Sequence, residues 1–328
     1  MSFSRSEYRD TTEAGDVAQF LHDEIAGKTV LITGVSPSTI GSEFTLTLSA
    51  HAPKLVIIAT RSQKNLDEVT ADIASKYPEV PVKSVLLDLA SLESARKAGD
   101  EIASWEDVPI IDVLVNNAGI MAVPYKKTVD GFESQFAINH LGHFVFTKRV
   151  MPKILAAARA GREPRIVNIS SSGHNVHGIN WDDINFSDGE TYDMWNAYGQ
   201  SKTANILFSV ELAERYRDAG VSSFSVHPGS VLGTHLGTHI PMEDIMGFLN
   251  SGRAPEPGLS QVFKTLSQGA STHVVAAFDP EIKEHSGNYF VDCAVSPEAR
   301  RKDWALDKDN AKRLWELSEQ LVGEKFDA

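Results

Sequence analysis

Cysteine is almost absent from this chain: Cys293 is the single thiol among 328 residues. One thiol cannot build an intrachain disulfide framework, and a reducing compartment suits such a sequence. Basic charge is also scarce, with 31 Lys and Arg against 44 Asp and Glu and a formal net charge of −13. A nucleic-acid surface normally carries a basic stripe; none occurs, so no nucleic-acid partner is expected. No apolar run is long enough to span a bilayer. Met1 to Asp10 is polar and lacks the apolar centre of a signal peptide. These absences together predict a cytoplasmic protein without a membrane span. Internal repeats and low-complexity tracts are missing too. What remains is an ordinary globular balance, 42% hydrophobic and 23% charged, enough to bury a full core.

The apolar residues come in short continuous runs separated by helical patterns. Strands are predicted at Thr29–Ile32, Leu55–Ala59, Val82–Leu87, Asp112–Val115, Arg165–Ile169 and Ser223–Val226, with helices such as Gln63–Lys76, Leu92–Ile102 and Gly131–Ala158 between them. Unbroken apolar strands alternating with amphipathic helices predict an α/β fold. Its sheet is parallel and doubly wound, covered by helices on both faces. Residues 1–26 read as a helical extension, because Val17, Phe20, Leu21 and Ile25 recur at helical spacing. Residues 27–328 read as one domain. Within it, 232–258 breaks the alternation with an apolar patch (Ile240, Met242, Ile245, Met246, Phe248, Leu249) and then a Gly/Pro-rich stretch. That composition predicts a lid over a substrate, or else a plain packing helix.

The chemistry is carried by Tyr198-x-x-x-Lys202 after a strand and the cluster Ser170-Ser171-Ser172. Four residues apart on a helix, Tyr and Lys share one face. A phenol of pKa ~10 is a poor proton carrier at neutral pH, and a nearby ammonium lowers it. A serine hydroxyl from the neighbouring strand end can hold a substrate oxygen against the phenol. By itself the spacing is weak, since Tyr packs and Lys snorkels on many helices.

At the other end, the first strand runs into Thr33-Gly34-Val35-Ser36-Pro37-Ser38-Thr39-Ile40-Gly41. Strand, glycine turn and helix start is where a dinucleotide pyrophosphate binds free backbone N–H groups. Glycine is sparse here, with Ser38-Thr39 at the middle position. The second strand ends at Thr60-Arg61, where an NAD enzyme usually places Asp or Glu; a cation there suits a 2′-phosphate and favours NADP(H), the alternative being a solvated surface Arg. Asp88-Leu89 ends the third strand at the expected adenine edge. Asn116-Asn117-Ala118-Gly119 ends the fourth with small residues that admit a cofactor close to the backbone.

In combination these motifs resemble the short-chain dehydrogenase/reductase family, and within it the retinol-dehydrogenase-like branch with its many fungal members. The resemblance runs from about Gly27 to Gly323. It includes Asn139 in Asn-His-Leu-Gly-His-Phe, His227-Pro228-Gly229, and the tail motifs Ser286 to Cys293 and Lys312 to Ser318. It implies a Rossmann-type fold with Tyr198 as general acid/base and Lys202 tuning it and binding the nicotinamide ribose. Ser171 would hold the substrate oxygen, with Ser170 and Ser172 as alternatives. Asn139 would support a water relay to Lys202. The implied cofactor contacts are Gly34, Ser36, Ser38, Thr39, Ile40, Gly41, Arg61, Asp88, Leu89, Asn116, Ala118, Gly119, Tyr198, Lys202, Pro228, Gly229, Val231 and Thr234. Two features depart from the family pattern: the glycine loop is one residue longer than usual, and Thr234 comes one residue late after Pro228-Gly229.

Other groups carry less. His235-x-x-x-His239 lacks the intervening Glu of a metalloprotease helix, so no metal is expected. His174 and His177 flank the serines as loop histidines or substrate contacts. Trp181, Phe186, Tyr192 and Trp195 either line a pocket for a hydrophobic substrate or pack. In the family, the helix over Gly131–Ala158 and the Tyr198 helix often build a homodimer; a buried monomeric helix predicts the same pattern. The expected activity is hydride transfer between NADP(H) and a carbonyl or alcohol of a hydrophobic small molecule. The alternatives are a non-redox isomerase, dehydratase or cyclase using Tyr198-Lys202, and a non-catalytic cofactor-binding protein.

Overall fold

The predicted apolar runs all become strands, and their pairing fixes where a ligand can enter. The structure is a computed structural model and describes residues 4–231, 234–253 and 263–327. The strands are β1 (Thr29–Thr33), β2 (Leu55–Thr60), β3 (Val82–Leu86), β4 (Val113–Asn116), β5 (Arg165–Ile169), β6 (Ser222–His227), β7 (Tyr289–Val291) and β8 (Ala294–Val295). They form one sheet in the order 3-2-1-4-5-6-7-8, parallel except for β8. The Val, Ile and Leu side chains of β1 and β2 are buried on both faces, as a doubly covered parallel sheet requires. The chain winds outward from β1 to β3, then restarts beside β1 with β4. That reversal opens a crevice at the carboxyl ends of β1 and β4.

The helices are α1 (Ala14–Phe20), α2 (His22–Ile25), α3 (Ile40–Ser49), α4 (Gln63–Lys76), α5 (Leu92–Ser104), α6 (Ser134–Phe136), α7 (Gly142–Arg159), α8 (Met194–Tyr216), α9 (Met242–Asn250), α10 (Leu266–Phe278) and α11 (Lys308–Val322). One core lies on the α5, α7, α8 and α11 side of the sheet, the other on the α1, α3, α4 and α10 side. The N-terminal helix expected as one piece breaks at Leu21, whose backbone leaves the helical region. Val17, Leu21 and Ile25 dock as expected; Phe20 instead stays 37% exposed, under the Arg5 guanidinium.

The helix predicted from Gly131 begins at Ser134. Gly131 sits at φ +85° in the preceding turn, and the Glu133 carboxylate caps the N–H groups of Gln135 and Phe136. One π-helical turn, Ala137–Leu141, then joins α6 to α7. The apolar face of α7 is spent inside the chain. Phe144 and Val145 are fully buried, and the Trp315 ring of α11 packs edge-on to Phe144 and tilted against Phe208 of α8. Of the lid expected over 232–258, residues 234–253 are described; Leu232, Gly233, residues 254–258 and the Leu249 side chain lie outside the described residues.

Candidate active site

A cavity of about 1000 Å³ opens at the crevice between β1 and β4. Its floor starts at Gly34, where φ is +74° and a Cβ would come 2.4 Å from the Ala118 Cα. Only glycine lets the β1 turn and the β4 turn touch in this way. The Asn117 amide ties the two turns together by donating to the Thr33 and Gly34 carbonyls.

The substituted middle of the loop closes without glycine. Ser38 takes the left-handed conformation itself (φ +58°), at a cost of roughly 1–2 kcal/mol for a side-chain-bearing residue. Thr39 is the N-cap of α3: its hydroxyl accepts from Ser42 N–H and donates to the Ser36 carbonyl. The N–H groups of Ile40 and Gly41 have no acceptor among the described residues, and they face the cavity lining. Arg61 lines the same end, beside Asn65, whose amide donates to Ser36 Oγ at 2.8 Å.

At the opposite end α8 delivers Tyr198 and Lys202. Asp193 caps this helix by accepting from Trp195 and Asn196 N–H. Gly173 gives the phenol its place, since a Cβ there would lie 2.7 Å from the Tyr198 ring. The register of the serine cluster follows from its partners. Ser170 Oγ is spent on the Lys202 carbonyl, and Ser172 offers its N–H to His227 Nδ1. Ser171 Oγ accepts from the Gly173 N–H, and its hydroxyl acts on the Tyr198 phenol, lowering it.

Electrostatically the pair departs from the expected pattern. Burial pushes the Tyr198 phenol up to about 12, and the Ser171 hydrogen bond only partly offsets this. Burial also pulls the Lys202 ammonium down to about 7. Lys202 Nζ donates to the Ile169 carbonyl and lies 5.7 Å from the Tyr198 ring centre. The expected lowering of the phenol by Lys202 is therefore not what this geometry gives, because desolvation of the phenol dominates.

Asn139 sits in the π turn behind Lys202. A Cβ on Gly119 would come 3.2 Å from Asn139 Oδ1 and 3.3 Å from Lys202 Nζ, so the two side chains converge there. The Asn139 amide is held by the Ile120 backbone and Ser201. Thr33 Oγ1 accepts from the Asn117 and Ala118 N–H groups, so its own proton goes to His143 Nε2. His143 then donates from Nδ1 to the Asn139 carbonyl, a tautomer assigned from this network. Burial lowers His143 to about 4, which keeps it neutral.

The cavity thus brings together Gly34, Ser36, Thr39, Ile40, Gly41, Arg61, Asp88, Leu89, Ala118, Gly119, Ser171, Tyr198, Lys202, Pro228, Gly229, Val231 and Thr234. Three predicted residues lie off its lining. Ser38 shapes the turn. Asn139 stands behind Gly119. Asn116 points into the core, where its amide donates to Thr147 and Asn168; its neighbour Asn117 lines the cavity instead. Of Trp181, Phe186, Tyr192 and Trp195, only Trp195 lines it; Trp181 packs under Arg313, and Tyr192 donates to the Val123 carbonyl. His174 is buried and bonds the Ser171 carbonyl, and the half-buried His177 bonds that of Gly178. Asn65, Gly173 and His143 carry the site without a spacing signal that would have marked them.

The sequence profile described as short chain dehydrogenase matches residues 28–183. Human retinol dehydrogenase 14 is 37% identical, over 90% of this chain and 87% of its own length. Oxidoreductase calI of Penicillium decumbens is 35% identical over the same shares. This chain belongs to the short-chain dehydrogenase/reductase family. Its relationship is with the retinol-dehydrogenase-like and fungal members. Among solved structures, an uncharacterized protein of Mycobacterium paratuberculosis superposes with a TM-score of 0.69 at 31% identity, over 93% of this chain and 96% of the other. An NADPH-bound carbonyl reductase from chicken fatty liver, at 20% identity and TM-score 0.58 over 83% and 94%, shares the fold. As a member of this family the protein is an oxidoreductase for alcohols or ketones that uses a nicotinamide cofactor. No helix among the described residues is long and apolar enough to cross a membrane.

Proposed function

We propose that this protein is an NADP(H)-dependent reductase or dehydrogenase for the carbonyl or alcohol of a hydrophobic small molecule. The observation that carries this reading is Ser171 against the Tyr198 phenol beside the buried Lys202, in one cavity with Arg61, which has no ion-pair partner among the described residues. The chain fits a dinucleotide on its own evidence: the close approach at Gly34, the acceptor-less N–H groups of Ile40 and Gly41, and a cavity reaching from Arg61 to Tyr198. A bound nicotinamide supplies the hydride.

The residues do the rest. Arg61, with Ser36 and Asn65 beside it, offers a charged contact for a 2′-phosphate. The α3 N-terminus receives the pyrophosphate. Ser171 orients the substrate oxygen, and Tyr198 gives it a proton in reduction or takes one in oxidation. With its pKa near 12 the phenol is held protonated, the form that reduction needs. Lys202 replenishes that proton, and Asn139, which meets it at Gly119, supports the water relay that reprotonates Lys202. The substrate end is apolar, lined by Met121, Val123, Val176, Trp195, Ile245 and Phe248. The loop with Ser38-Thr39 still closes into a strand–turn–helix, the form that admits a dinucleotide, which supports the redox reading.

Cofactor choice is tested by calorimetry. A charged hydrogen bond contributes about 1.5–3 kcal/mol, so Arg61→Ala should raise the NADPH Kd about tenfold or more and leave NADH nearly unchanged. Wild-type protein that binds NADH as tightly as NADPH contradicts the NADP assignment.

A further inference from the structure

We infer that Trp195 and Phe248 are the specificity-determining pair, selecting a neutral ketone or aldehyde conjugated to a flat unsaturated ring. The inference rests on the reductase reading of the same site and adds its substrate class.

Trp195 precedes Tyr198 by three residues on α8, so the two side chains share one face about 5–6 Å apart at Cβ. Phe248 comes from α9 and lies on the indole, with ring centres 4.1 Å apart and planes 14° from parallel. Both rings line the cavity. Stacked on each other, the two rings form an aromatic wall whose outer face a further planar ring can extend, within one helical turn of the proton donor. A carbonyl held at Ser171 and Tyr198 places whatever is bonded directly to it on that wall. A planar ring meets the wall face to face, while a puckered saturated ring of equal carbon count touches it at fewer atoms. The lining also selects against charge. Its only Lys and Arg among the described residues are Lys202, about two helical turns from Trp195, and Arg61.

Arg253 is the positioning residue for this wall. It follows α9 and reaches back to α8, where its guanidinium donates to both Asp193 carboxylate oxygens at 2.8 and 3.1 Å and to Asn196 Oδ1 at 2.7 Å. Asp193 is the cap of α8, so the fork ties the end of α9 to the first turn of the Tyr198 helix. Arg253 thereby holds Phe248 in register with Trp195.

The test is titration calorimetry of the NADP⁺-saturated protein with two fused bicyclic ketones of equal carbon count, 1-tetralone and 1-decalone. Ring stacking is worth roughly 0.5–1.5 kcal/mol, so wild type should bind 1-tetralone about fivefold more tightly. Phe248→Leu and Trp195→Leu should each bring the two Kd values within about twofold of each other, with NADP⁺ affinity unchanged. Arg253→Gln should weaken 1-tetralone more than 1-decalone, so that the preference shrinks while both rings are still present. Equal binding of the two ketones by wild type, binding of neither, or a preference that survives Phe248→Leu overturns the inference. A protein that shows the preference and loses it in Phe248→Leu, yet never oxidises NADPH, upholds this pair and refutes the redox reading.

Discussion

Tyr198 and Lys202 are displaced by burial in ways that oppose their ionisation: the phenol keeps its proton and the ammonium is ready to lose one. The stability consequence falls on Lys202. Its pKa is about 7 in the folded protein and ~10.4 in an unfolded chain, so between those values the unfolded state holds more protons. Stability therefore rises with pH across that window. The cost is fully present below about pH 7 and fades as the pH approaches 10. Lys202→Met removes the buried charge. At about pH 6 it should melt a few degrees above wild type, and the gap should shrink by about half near pH 9. Thermal denaturation across that range checks this; a gap that does not move with pH contradicts the assignment of a strained ammonium.

Among the elements, the α3 turn shows how a departure from the usual glycine pattern is accommodated. Ser38 takes the left-handed position, and Thr39 restores order by capping the helix and bonding back to Ser36. Thr39→Ala should cost about 1 kcal/mol in denaturant unfolding, the ordinary worth of an N-cap. A loss several times larger would mean that Thr39 holds more than the helix end. The parallel strands were legible because both their faces are apolar, and the Tyr198 helix because Tyr, Lys and the serine cluster occur together. The short elements were not. β7 and β8 are held by register against β6 and by a two-residue turn at Asp292-Cys293, both in the left-handed region, and neither strand is long enough to show a period. The π turn at Asn139 depends on tertiary bonds to Ile120 and Ser201, which local propensity does not encode. Asn116 and Asn117 are chemically identical in sequence; only the strand's alternation decides which faces the cavity.

For the whole molecule, α11 is the element that most changes expectations. Trp315 fills the space over α7 and α8, against Phe144, Phe208 and Phe326 and under the Arg215 guanidinium. The apolar face expected from the sequence to build a homodimer is thereby covered from within. The protein should run as a monomer in light scattering coupled to size exclusion at micromolar concentration; a stable dimer whose interface includes α7 and α8 would contradict this. The central claim, however, concerns proton transfer at Tyr198. Its most direct test is the rate of NADPH oxidation against a panel of hydrophobic ketones and aldehydes, wild type beside Tyr198→Phe, with NADPH affinity measured on both. The substitution keeps the ring against Gly173 and removes only the hydroxyl. Turnover should fall by ~10²–10⁴-fold while NADPH binding is retained. A Tyr198→Phe protein that reduces the same substrate at close to the wild-type rate would contradict the account.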